Sequence, residues 1–540
     1  MNGFTGTARM TRLALRRDRV SLPVWVLGLA GFLAATTALW VDQYRNFTDL
    51  IQDTQVAAAN TGIRMLGVAS GASVGAYATV RDYLLLAVLA ALMSTFAVVR
   101  HTRQSEETGR AELIGAAVVG RYAGLAAALI VSVLADVVLG VLAGLAMTAT
   151  GQPAVGSFTA GAAIAAVGIV FAGVAALTTQ LTSSTRGASG LAAAVLGVSF
   201  LTSGIGNMAG HTDPSGLWVE SAWPAWLSPI GWGEQMRPFG GDNWWPLVLV
   251  VALFLACVGA AALLASRRDF GQGLLPQRAG HAYAGRALRS PLGLAFRLQR
   301  GALLGWAVGM LGFGAVMGGL VGQVRDATGA TREWYVRMGG SDRILDAFRA
   351  SLVQMAGMAA AIYVVQVLLR MRAEEADGPL EPVLATAVSR FRWAAGYAVT
   401  AFAGATTLVL LFATGGGLAA GAVLGDPAGQ VGSLIAAGLV QLPGVLVIGA
   451  VVIAAVGLLP RVASAVSWGL LMASILVGPL FGPGLGLPQW VQDISPFTHV
   501  PKAPGVPVTA APLLALIAVV AALLLTGLLS LRRRNLALPA

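Results

Sequence analysis

Twelve runs of mostly apolar residues, each long enough to cross a ~30 Å hydrocarbon core, constrain this chain more than anything else in it. They fall at roughly 22–41, 80–99, 119–149, 157–180, 187–206 and 244–265, then at 301–322, 351–369, 393–421, 430–457, 463–484 and 511–531. A backbone in lipid must satisfy its own hydrogen bonds, so runs of this kind specify helices. Apolar residues at 56%, charged residues at 11% and a mean hydropathy of +0.76 point the same way. The expected fold is an all-α integral membrane protein with about 12 transmembrane helices. The third, ninth and tenth runs are generous and take in tilted or extra-membrane turns. Arg12, Arg16, Arg17 and Arg19 precede the first run as they would in a secretory signal. That run is too long for one and no small-residue cleavage site follows, so it reads as a retained helix.

The chain also repeats itself. Leu13, Arg16, Arg19 and Trp25 recur as Leu294, Arg297, Arg300 and Trp306; Gly109, Glu112 and Arg121 recur as Gly378, Glu381 and Arg390. Arg186 recurs as Arg461, and Ser228-Pro229 as Ser495-Pro496. Matches that keep their order along the chain imply two homologous halves. The expected organisation is a six-helix half over 1–265, an Arg-rich linker with an interfacial helix over 266–300, and a second six-helix half over 301–540. An even number of spans per half makes the two repeats parallel, with a pathway between them.

The cations give an orientation. If the N-terminus is cytosolic, the cytosolic segments hold 25 of the 35 Lys and Arg residues. The positive-inside rule therefore places both termini in the cytosol. Anchoring against anionic headgroups accounts for the sequence pI near 10.7 without nucleic acid. Thr11–Ser21, with Arg12, Arg16 and Arg19 on one face, reads as an interfacial helix. Its repeat carries Arg297 and Arg300.

Several chemistries are excluded. The one lysine, Lys502, sits in Ala-Pro-Lys-Ala-Pro, where no phosphate-binding P-loop can form. The four histidines, His101, His211, His281 and His499, lie in four different connections, and Cys257 is alone. No metal site and no catalytic residues are expected, so the chain reads as a transport subunit rather than an enzyme, with no cofactor of its own. Any ATP and Mg would be bound by another polypeptide.

The loop after the second span of each half is acidic on a face otherwise rich in Arg. It reads Ser105-Glu106-Glu107-Thr108-Gly109-Arg110-Ala111-Glu112 in the first half and Glu374-Glu375-Ala376-Asp377-Gly378-Pro379-Leu380-Glu381 in the second. Gly109 and Gly378 suit helix caps, which puts Glu112 and Glu381 at the third helical position and Pro379 at the first. These helices are expected to lead into the third and ninth spans. The structural alternative is that the acids only cap helices and solvate the loop. The run Glu106 to Leu113, with Gly120-Arg121, resembles the ABC-2 type permeases that export polyketide antibiotics, the tetronasin-type family. The resemblance implies two fused six-helix permease halves in a bacterial plasma membrane. It also implies a separate ATPase subunit, a homodimer per permease chain, that meets these two loops. The substrate would be a small hydrophobic or amphipathic compound, an antibiotic or drug moved outwards along the first, second and fifth helices of each half. Phe32, Phe96, Phe200, Phe313, Tyr363 and Trp468 are candidate lining residues; each is equally a lipid-facing position.

Other features weigh less. Asp136 is the acid placed well inside a span, and its aligned partner is Ala405, so it reads as a hydrogen-bonded structural group rather than part of a shared mechanism. Six tryptophans between Trp218 and Trp245 suggest an outer aromatic belt. Gly482-Pro483-Gly484-Leu485-Gly486 reads as a turn. Gly301, Gly305 and Gly309 are spaced for close helix packing. The rival readings are a proton-coupled twelve-helix drug transporter, disfavoured by the acidic loops, an ABC exporter of a lipid, and a membrane-embedded lipid enzyme, for which no acid or His cluster is present.

Overall fold

The computed structural model describes residues 2–268, 271–274, 283–325, 343–376, 378–479, 482 and 487–535. The Pro483–Gly486 turn, Arg278, His281, Asp377, most of the connection between the seventh and eighth spans and much of the expected linker lie outside these residues. The chain divides into two compact units, Met1–Ala279 and Gly280–Ala540.

Eleven described helices are long and apolar enough to cross a membrane. In unit 1 they are span 1 (Ser21–Gln43), span 2 (Val74–Glu107, which bends at Thr102), span 3 (Ala123–Ala149), span 4 (Ala154–Leu181), span 5 (Thr185–Met208) and span 6 (Pro246–Arg267). In unit 2 they are span 7 (Pro291–Gly319), span 8 (Ile344–Ala376), span 9 (Arg390–Leu424), span 10 (Pro427–Leu458) and span 12 (Ala510–Arg533). The eleventh apolar run differs from expectation: its helix stops at Val477 after 15 residues, about 22 Å at the helical rise. The seventh starts earlier than expected, at Pro291, where Ser290 caps it and the proline fills the first helical position.

Each unit is built around the same pair of spans. Spans 2 and 4 have 67% and 83% of their most apolar stretch buried and spans 8 and 10 have 72% each, whereas spans 6, 7 and 12 have 17%. Small residues make that burial possible. Span 4 packs Ala163, Ala166, Val167, Val170 and Phe171 with almost no exposure. In span 7 the close approach falls at Gly314 and Gly318, where an added Cβ would strike the carbonyls of Phe412 and Gly416 at 2.2 and 2.1 Å. Gly301, Gly305 and Gly309, expected to pack, are exposed and meet nothing within 4 Å.

Unit 1 closes the end opposite its Arg-rich face with a short hairpin (His211–Thr212 with Val219–Glu220) and the helix Pro229–Gln235. Trp226 stacks on Trp245 at 5.1 Å, while Trp223, Trp244 and Trp245 stay exposed. The repeated Ser-Pro pair has one job in both units. Ser228 Oγ donates to the Ser199 carbonyl at 2.6 Å, and Ser495 Oγ to the Ser474 carbonyl at 2.8 Å. Each fully buried hydroxyl ties the segment before the last span back to the fifth helix of its half.

Candidate functional site

The expected loop helices exist, as short separate elements. After span 2 the chain turns at Gly109 with φ +69° and forms Arg110–Gly115. After span 8 it turns at Gly378 with φ +92° and forms Leu380–Leu384. Left-handed backbone favours glycine at both places. Glu112 occupies the third helical position and is exposed. Glu381 is exposed too, but sits one position nearer its cap than expected. Pro379 already has helical dihedrals, but Pro382 has no N–H to donate to the Gly378 carbonyl, so the ladder begins one residue later. Neither element continues into the next span: links of a few residues separate them from Ala123 and Arg390.

The acid pairs expected to face a partner are instead engaged inside their own units. Glu106 receives Arg268 at 2.6 Å and Arg103 at 2.7 Å, and its side chain is 10% exposed. Glu375 receives Arg534 at 2.5 Å with Arg372 at 3.9 Å, and is 1% exposed. Both lie three residues before the turn glycine, so Glu106 corresponds to Glu375, and Glu374 is the added acid. The cations repeat as well. Arg103 donates to the Thr179 carbonyl at the end of span 4, and Arg372 to the Pro460 carbonyl just past span 10, at 2.7 Å. Arg268 and Arg534 follow the last span of each unit. The result is a clasp, present twice, that joins the ends of the second, fourth and sixth helices of a half. Arg121 and Arg390 reinforce it, donating to the Ser266 carbonyl at 3.0 Å and the Leu531 carbonyl at 3.2 Å. Glu107 accepts from Thr185 at the start of span 5. Arg110 is free of a described partner, as are the exposed repeat pair Arg186 and Arg461.

Where the amphipathic helix meets the second span, the halves differ. In unit 1 the helix Thr7–Arg17 ends at Asp18, a turn away from span 1. Asp18 is fully buried and accepts from Arg100 at 2.5 Å, with His101 at 2.6 Å. Burial pushes its carboxyl up, but the His101 bond and charge and the Arg100 charge outweigh it and leave it below the usual range. In unit 2 the corresponding residue is Gln299, buried with neither side-chain polar atom bonded. There the expected separate interfacial helix merges into span 7 without a break. Arg12, Arg16 and Arg19 are exposed, as are Arg297 and Arg300. The unit 2 acid sits on span 8: Glu374 accepts from Arg370 at 3.4 Å and from Tyr397.

Among the aromatic candidates, Phe32, Phe96, Phe313 and Trp468 are exposed on their units, and Phe200 is half-buried. Tyr363 is fully buried against span 9, edge-on to Trp306 at 6.3 Å, and lines no open surface. Asp136 is wholly enclosed and accepts from Ser94 at 2.7 and 2.8 Å. Another buried acid escaped sequence reading. Glu234, on the helix Pro229–Gln235, accepts from Ser203 at 2.6 Å and Asn207 at 2.9 Å. Burial raises its carboxyl to about 7 against those two bonds. The sequence signal was a lone acid in an otherwise apolar Pro-Ile-Gly-Trp-Gly-Glu stretch. Among the described residues no group of three His, Cys, Asp or Glu could hold a metal ion.

The profile of the family "Multidrug efflux system permease Rv1217c, C-terminal domain" matches residues 8–265 and 288–532. The multidrug efflux system permease protein Rv1217c of Mycobacterium tuberculosis is 39% identical over 548 aligned positions, covering 99% of this chain and 96% of the relative. The chain is a multi-pass membrane protein and belongs to the Rv1217c family of multidrug efflux system permeases.

Proposed function

We propose that this chain is the permease subunit of an ATP-driven exporter of the ABC-2 type, moving hydrophobic or amphipathic drugs outwards across a bacterial plasma membrane. The observation that carries this reading is the pair of loop helices. Arg110–Gly115 and Leu380–Leu384 each present an exposed acid, Glu112 and Glu381, and each hangs from a buried clasp. A push on such a helix would be passed to three spans at once, because the clasp joins their ends. In this reading the loop residues divide their roles: Glu112, Glu381 and Arg110 meet the ATPase, while Glu106, Glu374 and Glu375 hold the loop in place. Glu107 and the glycines Gly109 and Gly378 shape the turn. The relative's printed name, an efflux permease, supports the drug substrate. With no lysine that could complete a P-loop, the ATP and Mg belong to a separate ATPase subunit, a homodimer per permease chain. Both termini are cytosolic in this reading.

Affinity purification of the full chain from its native membrane tests it. Co-elution of a soluble Walker-A protein near two copies per chain is the expected result. A chain that purifies alone and exports drug without ATP would overturn it in favour of ion coupling.

A further inference from the structure

The Arg-rich face of unit 1 carries a groove that the coupling reading does not use. It lies between the helix Thr7–Arg17 and the link 117–119 before span 3, with a volume of about 500 Å³, in the range of small-ligand sites. One wall carries Arg9, Arg12 and Arg16, spaced at i, i+3 and i+7 and so on one face. Leu13 stands among them, 50% exposed, and Val118 opposite is 72% exposed. All three guanidiniums are exposed, none has a described partner, and no acid lines the groove.

The two walls are held in register before any ligand arrives. Gly120 N–H donates to the Thr5 carbonyl at 2.8 Å and Tyr122 N–H to the Gly3 carbonyl at 2.9 Å. A Cβ at position 120 would lie 2.3 Å from the Gly3 oxygen, which explains the glycine of the Gly120-Arg121 motif. Phe4 packs on Tyr122 with centroids 5.6 Å apart.

We propose that this groove binds an anionic membrane phospholipid. Planar guanidiniums on one wall suit the two-oxygen face of a phosphate, and exposed Leu13 and Val118 beside them suit the start of an acyl chain. A free anion would use the cations and leave the apolar half in water. The repeat carries no second copy of the stripe: Arg9, Arg12 and Arg16 align with Ser290, Gly293 and Arg297. Because the link 117–119 follows the helix Arg110–Gly115, a bound lipid fastens the N-terminal helix to the coupling loop. That last consequence rests on the exporter reading; the binding does not.

The test is native mass spectrometry of the full chain in detergent, titrated separately with phosphatidylglycerol and phosphatidylcholine. Wild type is expected to hold phosphatidylglycerol in preference. R9Q/R12Q/R16Q, confirmed folded by its unfolding temperature, is expected to hold it at least about tenfold more weakly, since each cation near an anionic surface contributes about fivefold. The matched variant R392Q/R532Q/R533Q should bind as wild type, and millimolar inorganic phosphate should not displace the lipid. Wild-type binding by the triple variant, an equal loss in the matched variant, equal binding of phosphatidylcholine, or displacement by phosphate would each overturn the proposal. No ATP enters the assay, so its failure leaves the exporter reading standing.

Discussion

The two halves solve one mechanical problem with the same residues and a neighbouring one with different residues. Glu106 with Arg103 and Arg268, and Glu375 with Arg372 and Arg534, hold the ends of the second, fourth and sixth helices together in each half. Beside them, the first half binds the end of span 2 with Asp18 from the N-terminal helix, while the second uses Glu374 on span 8 itself. The clasp is a property of the repeat; a carboxylate hold on the amphipathic helix is a property of unit 1, whereas in unit 2 Arg370 donates to the Leu298 carbonyl at 3.3 Å. What the duplicated ions do in common is to anchor the loop helix, and what differs is the group that holds the amphipathic segment, a carboxylate in unit 1 and a backbone carbonyl in unit 2.

Breaking the clasp should have the largest effect. Glu106→Ala and Glu375→Ala each strand buried guanidiniums and are expected to cost about 3–5 kcal/mol, read as a fall in unfolding temperature in detergent. The two losses should agree within about 1 kcal/mol if the clasps are equivalent; a silent variant in one half would break the comparison. Next, Asp18→Asn should destabilise by about 1–3 kcal/mol by removing the charge from a buried, hydrogen-bonded pair. Its counterpart Gln299→Leu should be neutral or stabilising by about 1 kcal/mol, since both polar atoms of Gln299 are buried and unbonded. Opposite signs at aligned positions would sharpen the asymmetry, and equal losses would deny it.

A smaller, pH-dependent effect belongs to unit 1. Burial raises the Glu234 carboxyl to about 7 from an ordinary value of 4.5. Between those values the folded state holds a proton that the unfolded chain has released, so stability falls as pH rises through this window and levels off above about 7. Glu234→Gln should flatten that slope over pH 5–8 in thermal unfolding curves. An unchanged slope would remove Glu234 as its source. Asp18 acts with the opposite sign: its low folded value contributes stability at neutral pH that is lost only as pH falls through the acid range below its ordinary value.

The membrane class was legible from run length alone, because the hydrocarbon thickness fixes the helix length. The repeated residues were legible as positions, and their partners were not. Arg121 and Arg390 pair with backbone carbonyls at the end of the sixth and twelfth spans, and no side-chain pattern records a carbonyl. Arg268 and Arg534 lie in dense Arg segments where sequence offers no way to tell an anchoring cation from a solvated one. The acid pairs read as partner-facing because they are charged residues in a loop, yet Glu375 is 1% exposed. The eleventh apolar run read as long because residues past Val477 are apolar, although the helix ends there. Gly301, Gly305 and Gly309 had the spacing for packing, but spacing alone does not say which face a neighbour covers.

The central claim is that the exposed acids of the loop helices, and not the buried ones, pass work from an ATPase to the permease. The direct measurement is ATP-driven drug transport and ATP hydrolysis in proteoliposomes holding the E112Q/E381Q permease with the ATPase proposed to co-purify with it. The account predicts that transport falls at least about tenfold, the unfolding temperature stays within a few degrees of wild type, and ATP hydrolysis continues. Undiminished transport by the double variant would contradict it.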